Sequence, residues 1–439
     1  MNYVRIFIAT VWLFALPLSA HAVEVTRVVS PGGIEAWLVE DHANPLLAMN
    51  FAFAGGAELD PPGKSGLANL AASTMDEGAG GLDSQTFQQR LSDNSIKLRF
   101  KAGLDTFGGT LKTLTETEDM AFDMLRQALS APRFDDEPVA RLKSQISSGI
   151  RRDSERPGMV AFNTLFEGFF PGHGYALRSD GTEQSVAAIT TADLRGFVAA
   201  RLGRDNLKIG VVGDITPERL GALLDFTFGV LPETSDGVHA REVTPKVSGR
   251  LRVIEKDLVQ STIVFGHAGP KRNDADYYAT LIMNHILAGG SFTSRLYTEV
   301  REKRGLAYSV GASLYPLDHA GLIVGSAGTE NARVGETIAI IRDEWRRMAA
   351  GEVSAQELND AKTYITGAFP LSFTATDKIA RVLVSMQMED LGIDYLDKRS
   401  AYMSAVTLDD VKRVAAQYLR ADALDIVVVG KPVGVTSSP

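Results

Sequence analysis

The sequence predicts an α+β protein made of two homologous halves, each with helices packed on a mainly antiparallel sheet. The first observation is an internal repeat: residues 189–213 (ITTADLRGFVAARLGRDNLKIGVVG) resemble residues 406–430 (VTLDDVKRVAAQYLRADALDIVVVG) at a constant offset of 217 residues. The second is a shorter echo, in which residues 51–55 resemble residues 265–269. The third is that predicted strands come in adjacent pairs and predicted helices in runs, which is typical of such sheets.

Hydrophobic periodicity gives the order of elements within each half. In the first half it predicts strands over 46–54, 96–101 and 106–111 and helices over 116–129, 137–153 and 159–169. In the second half it predicts strands over 308–315 and 322–327 and helices over 332–349 and 355–368. Each half closes with one copy of the repeat, which predicts a helix that begins after a threonine and a strand that ends in Val-Val-Gly.

The N-terminus has the features of a secretory signal peptide. Arg5 gives a positive start, an apolar run covers residues 6–18, and Ala20-His21-Ala22 is a cleavage site. We therefore expect cleavage before Val23, a periplasmic location and no membrane anchor, because the apolar run is too short to span a bilayer. A polar, proline-containing segment then separates the halves. The predicted signal peptide, first domain, linker and second domain cover residues 1–22, 23–231, 232–249 and 250–439.

Composition excludes several kinds of function. The chain has no cysteine, which excludes disulfides and thiol chemistry and suits an exported protein in an oxidising periplasm. The formal net charge is −9 and no basic patch with interleaved aromatic residues occurs, so nucleic acid is not an expected partner. Pro62-Gly63-Lys64-Ser65 resembles the end of a phosphate-binding loop. The position five residues before Gly63 is Glu58 instead of glycine, which argues against nucleotide binding.

The most informative stretch is residues 287–310, LAGGSFTSRLYTEVREKRGLAYSV. It predicts a flexible glycine turn, a short amphipathic helix that ends near Gly305, and a strand entered at Tyr308. Arg301 on the last helical turn and Tyr308 across the glycine turn would then point into one cleft. Residue type alone favours a plainer interpretation, a solvated arginine and a half-buried tyrosine. One apolar face of the helix is expected to carry Phe292, Leu296 and Val300.

This stretch resembles the second-half signature of the pitrilysin/insulinase-type (M16) zinc peptidases, which include the mitochondrial processing peptidases. The family's functional arginine and tyrosine fall on Arg301 and Tyr308. Its glycine-rich loop falls on residues 287–291, which makes Gly289, Gly290 and Ser291 the expected substrate-binding residues; a plain helix-to-helix turn is the alternative. The resemblance continues more faintly from about Val25 to the C-terminus. It implies two homologous halves that close as a clam shell.

The chain departs from this family at the zinc site. Catalytic members carry H-x-x-E-H on a helix, where two imidazoles bind zinc and the glutamate activates the metal-bound water. In this sequence Asn69 and Ser73 replace the histidines and Ala72 replaces the glutamate, while the family's further zinc-binding glutamate falls near residues 148–149 (Ser-Gly). We expect this chain to bind no metal. The remaining histidines are scattered without ligand spacing, at His42, His173, His239, His267, His285 and His319.

The resemblance suggests how such a chain could still take part in catalysis. Some relatives divide the work between two similar subunits, of which one carries H-x-x-E-H and zinc and the other carries the arginine and tyrosine. We expect this chain to be the second kind, with Arg301 and Tyr308 serving a partner's zinc site and an extended or unfolded peptide as substrate. The alternatives are a catalytically inert structural or peptide-binding protein of the same fold, and a peptide-binding homodimer.

Overall fold

A computed structural model describes residues 24–236 and 240–438. The predicted signal peptide and His239 lie outside these residues. Within them no helix is long and apolar enough to cross a membrane. The first sheet consists of β1 (Thr26–Val29), β2 (Glu35–Glu40), β3 (Leu46–Ala54), β4 (Lys97–Ala102), β5 (Thr106–Leu114) and β6 (Leu207–Gly213). The second sheet consists of β7 (Leu251–Glu255), β8 (Gln260–Ala268), β9 (Ala307–Pro316), β10 (Gly321–Glu330) and β11 (Asp425–Gly430).

The α-helices fall into two sets, one in each half of the chain. The first set is α1 (Leu67–Thr74), α2 (Ser84–Asp93), α3 (Glu118–Ser130), α4 (Asp136–Glu155), α5 (Pro157–Phe169), α6 (Glu183–Ala188), α7 (Thr191–Arg201) and α8 (Pro217–Phe228). The second set is α9 (Tyr277–Asn284), α10 (Val334–Ala349), α11 (Ala355–Ala368), α12 (Thr376–Met388), α13 (Tyr395–Ala405) and α14 (Leu408–Tyr418). Two π-helical segments, His285–Gly289 and Tyr297–Glu302, lie between α9 and β9.

The two sheets share one topology. The strand order is β1-β2-β6-β3-β5-β4 in the first sheet and β7-β11-β8-β10-β9 in the second. Without β1 the two orders are equivalent, and in each sheet one pair is parallel, β2 with β6 and β7 with β11, while the remaining pairs are antiparallel. This confirms the prediction of an α+β fold built from two homologous halves.

The internal repeat has a physical basis in its helix starts. Thr190 caps α7: its hydroxyl accepts a hydrogen bond from the Asp193 N–H at 3.2 Å, and the Asp193 carboxylate accepts from the Thr190 N–H at 2.6 Å. Thr407 and Asp410 make the same reciprocal pair at the start of α14, at 3.1 and 2.9 Å. Such a capping box satisfies two backbone donors that a helix start leaves unpaired. The predicted threonine-initiated helices are confirmed.

Each sheet is covered on one face by a helix from the other half. Helix α5, which precedes the predicted linker, packs on β8 and β11 of the second sheet, and α12 packs on β3 and β6 of the first. At Gly266 a side chain would lie 3.4 Å from Leu165 and Phe169 of α5, and at Gly210 it would lie 2.6 Å from the carbonyl oxygen of Ala380 of α12. These buried apolar contacts hold the halves together more firmly than a linker alone would.

The segment predicted as a linker is hydrogen-bonded to both halves. The Val243 N–H donates to the His319 carbonyl at 3.1 Å, and the Lys246 N–H donates to the Phe169 carbonyl at 2.8 Å. The Asp425 carboxylate accepts from the Ser248 N–H at 2.9 Å. Its described residues therefore run as a strap between the end of α5 and the β9–β10 turn. The domain boundaries themselves stay a prediction.

Candidate functional site

Arg301 and Tyr308 lie against each other. The guanidinium carbon of Arg301 is 4.7 Å from the centre of the Tyr308 ring, a cation–π distance. Arg301 is half-buried, whereas Tyr308 is 83% exposed. The predicted turn at Gly305 adopts a left-handed φ of 60°, which glycine tolerates without strain. The sequence-based expectation that the two side chains share one surface therefore agrees with the structure.

A β-bulge presents Tyr308 to solvent. On β10, Ala327 pairs with Val310 and Thr329 pairs with Ala307, so two steps along β10 match three along β9. The extra residue lies at Tyr308–Ser309, and both of these side chains are exposed while Ala307 and Val310 are buried. A bulge adds a residue to one strand and redirects its side chains. As a result of the bulge, the Tyr308 side chain points away from the packed sheet and lies beside Arg301.

The helix before Arg301 differs from its prediction. The backbone over residues 291–302 is a 3₁₀ turn followed by a turn that widens into the π-helix Tyr297–Glu302. Leu296 and Val300 are buried as expected, but Phe292 is 66% exposed and does not share their face. The prediction for Phe292 was wrong because it sits in the 3₁₀ turn, before the helical period begins. π-Helical turns are rare and occur frequently at functional sites.

The glycine turn is shaped by close packing. A side chain at Gly289 would lie 2.9 Å from Asn284 Nδ2, and one at Gly290 would lie 2.8 Å from the His285 carbonyl oxygen. Ser291 adopts a left-handed φ of 50°, which is uncommon for a residue with a side chain. Packing within the turn thus requires glycine at position 290, where the close atom belongs to the backbone, and disfavours a side chain at position 289, so these glycines are not by themselves evidence of substrate binding.

A cavity of about 560 Å³ opens beside this turn. Its floor is built from strands β8, β9 and β10, and its wall from the first turns of α5. Gly289 and Ser291 line it, as does Ser309 from the bulge, while Gly290 does not. Two of the three predicted substrate-binding positions, Gly289 and Ser291, therefore face one concave surface next to Arg301 and Tyr308.

The surroundings of Arg301 are unusual for an arginine at a protein surface. Glu299, two residues before it, is engaged by Lys303 at 2.5 Å and Arg304 at 2.6 Å, and these hydrogen bonds lower the pKa of the Glu299 carboxyl. Within the part of the chain that the structure describes, Arg301 pairs with no carboxylate. Its contacts are aromatic: the Tyr297 and Phe292 ring centres lie 4.9 and 6.0 Å from the guanidinium carbon. The sequence did not lead us to predict that either ring contacts Arg301: Phe292 was expected on the apolar face of the helix, and Tyr297, four residues before Arg301, was not singled out.

The helix that would carry zinc is α1. Ala72 is buried, Asn69 and Ser73 are half-buried, and the Ser73 hydroxyl donates to the Asn69 carbonyl at 2.9 Å. An amide, a methyl group and a hydroxyl that is already hydrogen-bonded to the backbone do not fit Zn²⁺, which prefers imidazole, thiolate and carboxylate ligands. Over residues 24–236 and 240–438, no group of three or more His, Cys, Asp or Glu side chains is placed to hold a metal ion.

A second polar cluster joins the two halves. The Tyr175 hydroxyl donates to the Asp105 carboxylate and accepts from the His319 N–H at 3.1 Å, and Asp105 also accepts from the Asp318 N–H at 3.3 Å. Burial raises the pKa of Asp105, and burial together with the neighbouring Asp105 charge raises the pKa of Asp318 to about 6. The cluster fastens the β4–β5 turn to the β9–β10 turn. Sequence reasoning missed it because its members are far apart in the chain.

Comparison with known sequences finds proteins that are similar to this chain. The family model for the peptidase M16 inactive domain matches residues 188–365. A non-peptidase homologue, YmxG, from Helicobacter pylori is 28% identical over 336 residues, which are 76% of this chain and 77% of the relative. An uncharacterised zinc protease from Streptomyces coelicolor is 25% identical over 353 residues, which are 75% and 76% of the two chains.

Comparison with solved structures finds proteins of similar fold. The crystal structure of a peptidase M16 inactive domain from Pseudomonas fluorescens matches with a TM-score of 0.86 and 27% identity, covering 94% of this chain and all of the other. A protease from Helicobacter pylori matches with a TM-score of 0.84 at 16% identity, covering 93% and 100%, which concerns the fold alone. This chain is therefore similar over most of its length to proteins of the M16, or pitrilysin/insulinase-type, peptidase family, and its helix α1 lacks the side chains with which catalytic members of that family bind zinc.

Proposed function

We propose that this chain is the non-zinc-binding subunit of a periplasmic heterodimeric metallopeptidase, and that it lends Arg301 and Tyr308 to a homologous partner that carries H-x-x-E-H and zinc. The observation that carries the proposal is the placement of these two side chains. A permanently charged guanidinium and an exposed phenol lie together beside a cavity, and among the described residues neither forms a salt bridge or belongs to the core.

The chemistry of the two groups suits peptide hydrolysis in a shared site. The Tyr308 O–H can donate a hydrogen bond to a peptide carbonyl oxygen as negative charge develops there. The Arg301 guanidinium has several N–H donors in a rigid plane, which can bind main-chain carbonyls and keep the peptide in register. Zinc and the water-activating glutamate belong to the partner, because α1 offers no ligand set for them.

An extended or unfolded polypeptide is the substrate class that fits this architecture. Strands β4 and β9 each form one outer edge of their sheets, and an extended peptide can add to such an edge through main-chain hydrogen bonds. Tyr308 stands on β9 itself. A peptide that adds to this edge would pass directly in front of the Arg301–Tyr308 pair.

The test is peptidase activity on an unstructured peptide, measured with this chain alone and then with its zinc-bearing homologue. We expect activity only in the mixture, and loss of that activity with a chelator. Tyr308→Phe should lower turnover of the mixture by roughly 100-fold to 1000-fold, the usual loss when one oxyanion donor is removed, with no change in zinc content or folding. Unchanged turnover would refute the role of Tyr308, and activity of this chain alone would refute the proposed division of labour.

A catalytically inert structural or peptide-binding protein of the same fold is the second candidate. The inactive-domain family match and the non-peptidase name of the Helicobacter relative favour it. This candidate predicts no gain of activity on mixing. A peptide-binding homodimer would in addition bind the unstructured peptide without the homologue, which fluorescence anisotropy of a labelled peptide would show.

A further inference from the structure

Tyr297 and Phe292 form a wall of rings against Arg301. The two rings meet edge to face, with centres 5.0 Å apart, and Arg301 lies over Tyr297 at 4.9 Å. The centre of the Tyr308 ring also lies 4.7 Å from the guanidinium carbon, so the guanidinium packs against more than one aromatic ring. Aromatic faces attract a cation without neutralising it, so the group keeps its full charge and most of its donors.

A hydrogen bond completes this arrangement. Arg301 Nη1 donates to the Tyr297 hydroxyl oxygen, four residues earlier in the π-helical segment Tyr297–Glu302. A phenylalanine at position 297 would supply the ring but not this acceptor. The bond fixes one end of the guanidinium plane, and the remaining N–H groups of Arg301 have no carboxylate or carbonyl acceptor within the described residues.

Tyr297 is a buried residue next to Arg301. It is 8% exposed and is not a member of the apolar cluster that contains its neighbours Leu296 and Val300. The Phe292 ring and the Arg301 guanidinium both pack against the Tyr297 ring. A tyrosine covered by the functional arginine, with its hydroxyl against that arginine, is placed to orient it.

We propose that Tyr297 is a positioning residue that orients the Arg301 guanidinium toward a bound peptide, with Phe292 as its outer support. This inference rests on the proposed function, because it concerns the same peptide-binding arginine. Without the Tyr297 hydroxyl the long arginine side chain regains rotamer freedom, and fixing it again on substrate costs free energy. The loss should therefore appear in peptide binding and turnover and not in folding.

The decisive experiment is a double-mutant cycle of Tyr297→Phe and Arg301→Met, measured as kcat/KM on an unstructured peptide with the zinc-bearing homologue present. Tyr297→Phe alone should lower kcat/KM about 10-fold, the order expected for one net hydrogen bond to a charged group. In the Arg301→Met background it should have no further effect, since there is no guanidinium left to orient. Tyr364→Phe is the matched control, because that exposed tyrosine stacks on His285 and does not contact Arg301.

A second readout does not depend on turnover. In protein labelled with ¹⁵N-arginine, the Nε–H signal that disappears in Arg301→Met reports on Arg301, and Tyr297→Phe should increase its motion. Phe292→Leu should increase it less, without loss of stability, since Phe292 is largely exposed. Additive losses in the cycle, or an unchanged Arg301 signal in Tyr297→Phe, would overturn the positioning role. If Arg301→Met itself left kcat/KM unchanged, the proposed function would fail, and the inference with it.

Discussion

Replacing Glu58 with glutamine should stabilise the protein at neutral pH and leave it unchanged in acid. The Glu58 side chain is only 7% exposed, and its carboxylate accepts a hydrogen bond from the Gly56 N–H at 2.9 Å. Burial raises its pKa to about 8, with a further contribution from the nearby Asp105 charge; backbone hydrogen bonds and Arg201 act in the opposite direction. The folded protein therefore holds a proton on Glu58 at neutral pH.

The magnitude follows from the difference between the folded and unfolded chains. In the unfolded chain the Glu58 carboxyl has its ordinary pKa of 4.5 and is ionised at pH 7, so Glu58 must bind a proton when the chain folds. At about 1.4 kcal/mol for each pH unit between 4.5 and 7, this costs about 3 kcal/mol. Because the folded pKa is the higher one, the stability is fully present below about pH 4 and is lost as the pH rises toward 8.

Glu58→Gln keeps the shape and the acceptor for Gly56 but removes the titration. We expect it to raise the free energy of unfolding at pH 7 by up to about 3 kcal/mol and to change it little at pH 4, as measured by urea denaturation at both values. Glu116→Gln, at an exposed position, is the matched control and should have no such pH-dependent effect. An equal gain at pH 4 and pH 7, or a loss at pH 7, would refute the reasoning.

Two further substitutions test one packing contact in the first half and one partly buried charge interaction in the second half. In Gly174→Ala the new Cβ would lie 1.8 Å from the carbonyl oxygen of Glu58, so we expect a loss of about 3 kcal/mol or more in urea denaturation, whereas Gly158→Ala, with open space around its Cβ, should fold normally. Burial would raise the pKa of Glu357, but hydrogen bonds from Arg295 and Ser354 outweigh it and hold the pKa at about 2. Glu357→Gln should therefore lower stability at pH 7, and the difference should shrink as the pH falls from about 4.5 through 2; a difference that persisted in acid would show that the charge is not responsible.

Local sequence signals were enough to predict much of the fold. Strand β3 and helix α11 have the predicted bounds, and Ser354 with Glu357 forms a capping box at the start of α11 like those of the repeat. Such signals act over three or four residues, and apolar periodicity reports which face of an element is buried. Both are written in neighbouring residues, so one sequence is sufficient to find them.

Long-range pairing and irregular backbone were not predictable in the same way. The amphipathic pattern of α5 shows that it buries one face but does not indicate that the buried face meets the second sheet. The bulge at Tyr308–Ser309 and the π-helical segment Tyr297–Glu302 each change the hydrogen-bond register by one residue. A one-residue change leaves little trace in a short apolar pattern, which is why the position of Phe292 was mistaken while the proximity of Arg301 to Tyr308 was not.

Two stretches of this chain resemble the M16 peptidases: the one that leads into α1 and the one that contains Arg301 and Tyr308. The contacts that these two stretches make in the structure are different. The stretch before α1 is held by folding contacts: the Asp60 carboxylate accepts from the N–H groups of Gly66, Leu67 and Ala68 at 2.8 to 3.1 Å, and Lys64 pairs with Asp193 at 2.6 Å. These contacts need no zinc, so the intact frame around the lost zinc ligands is not evidence of catalysis. Tyr308 does not stabilise the fold in this way, because its ring is exposed to solvent. Its neighbour Arg301 has no counter-ion among the described residues. Packing accounts for the first stretch and not for the Arg301–Tyr308 pair, and this is the physical reason to look for the function of the chain at that pair.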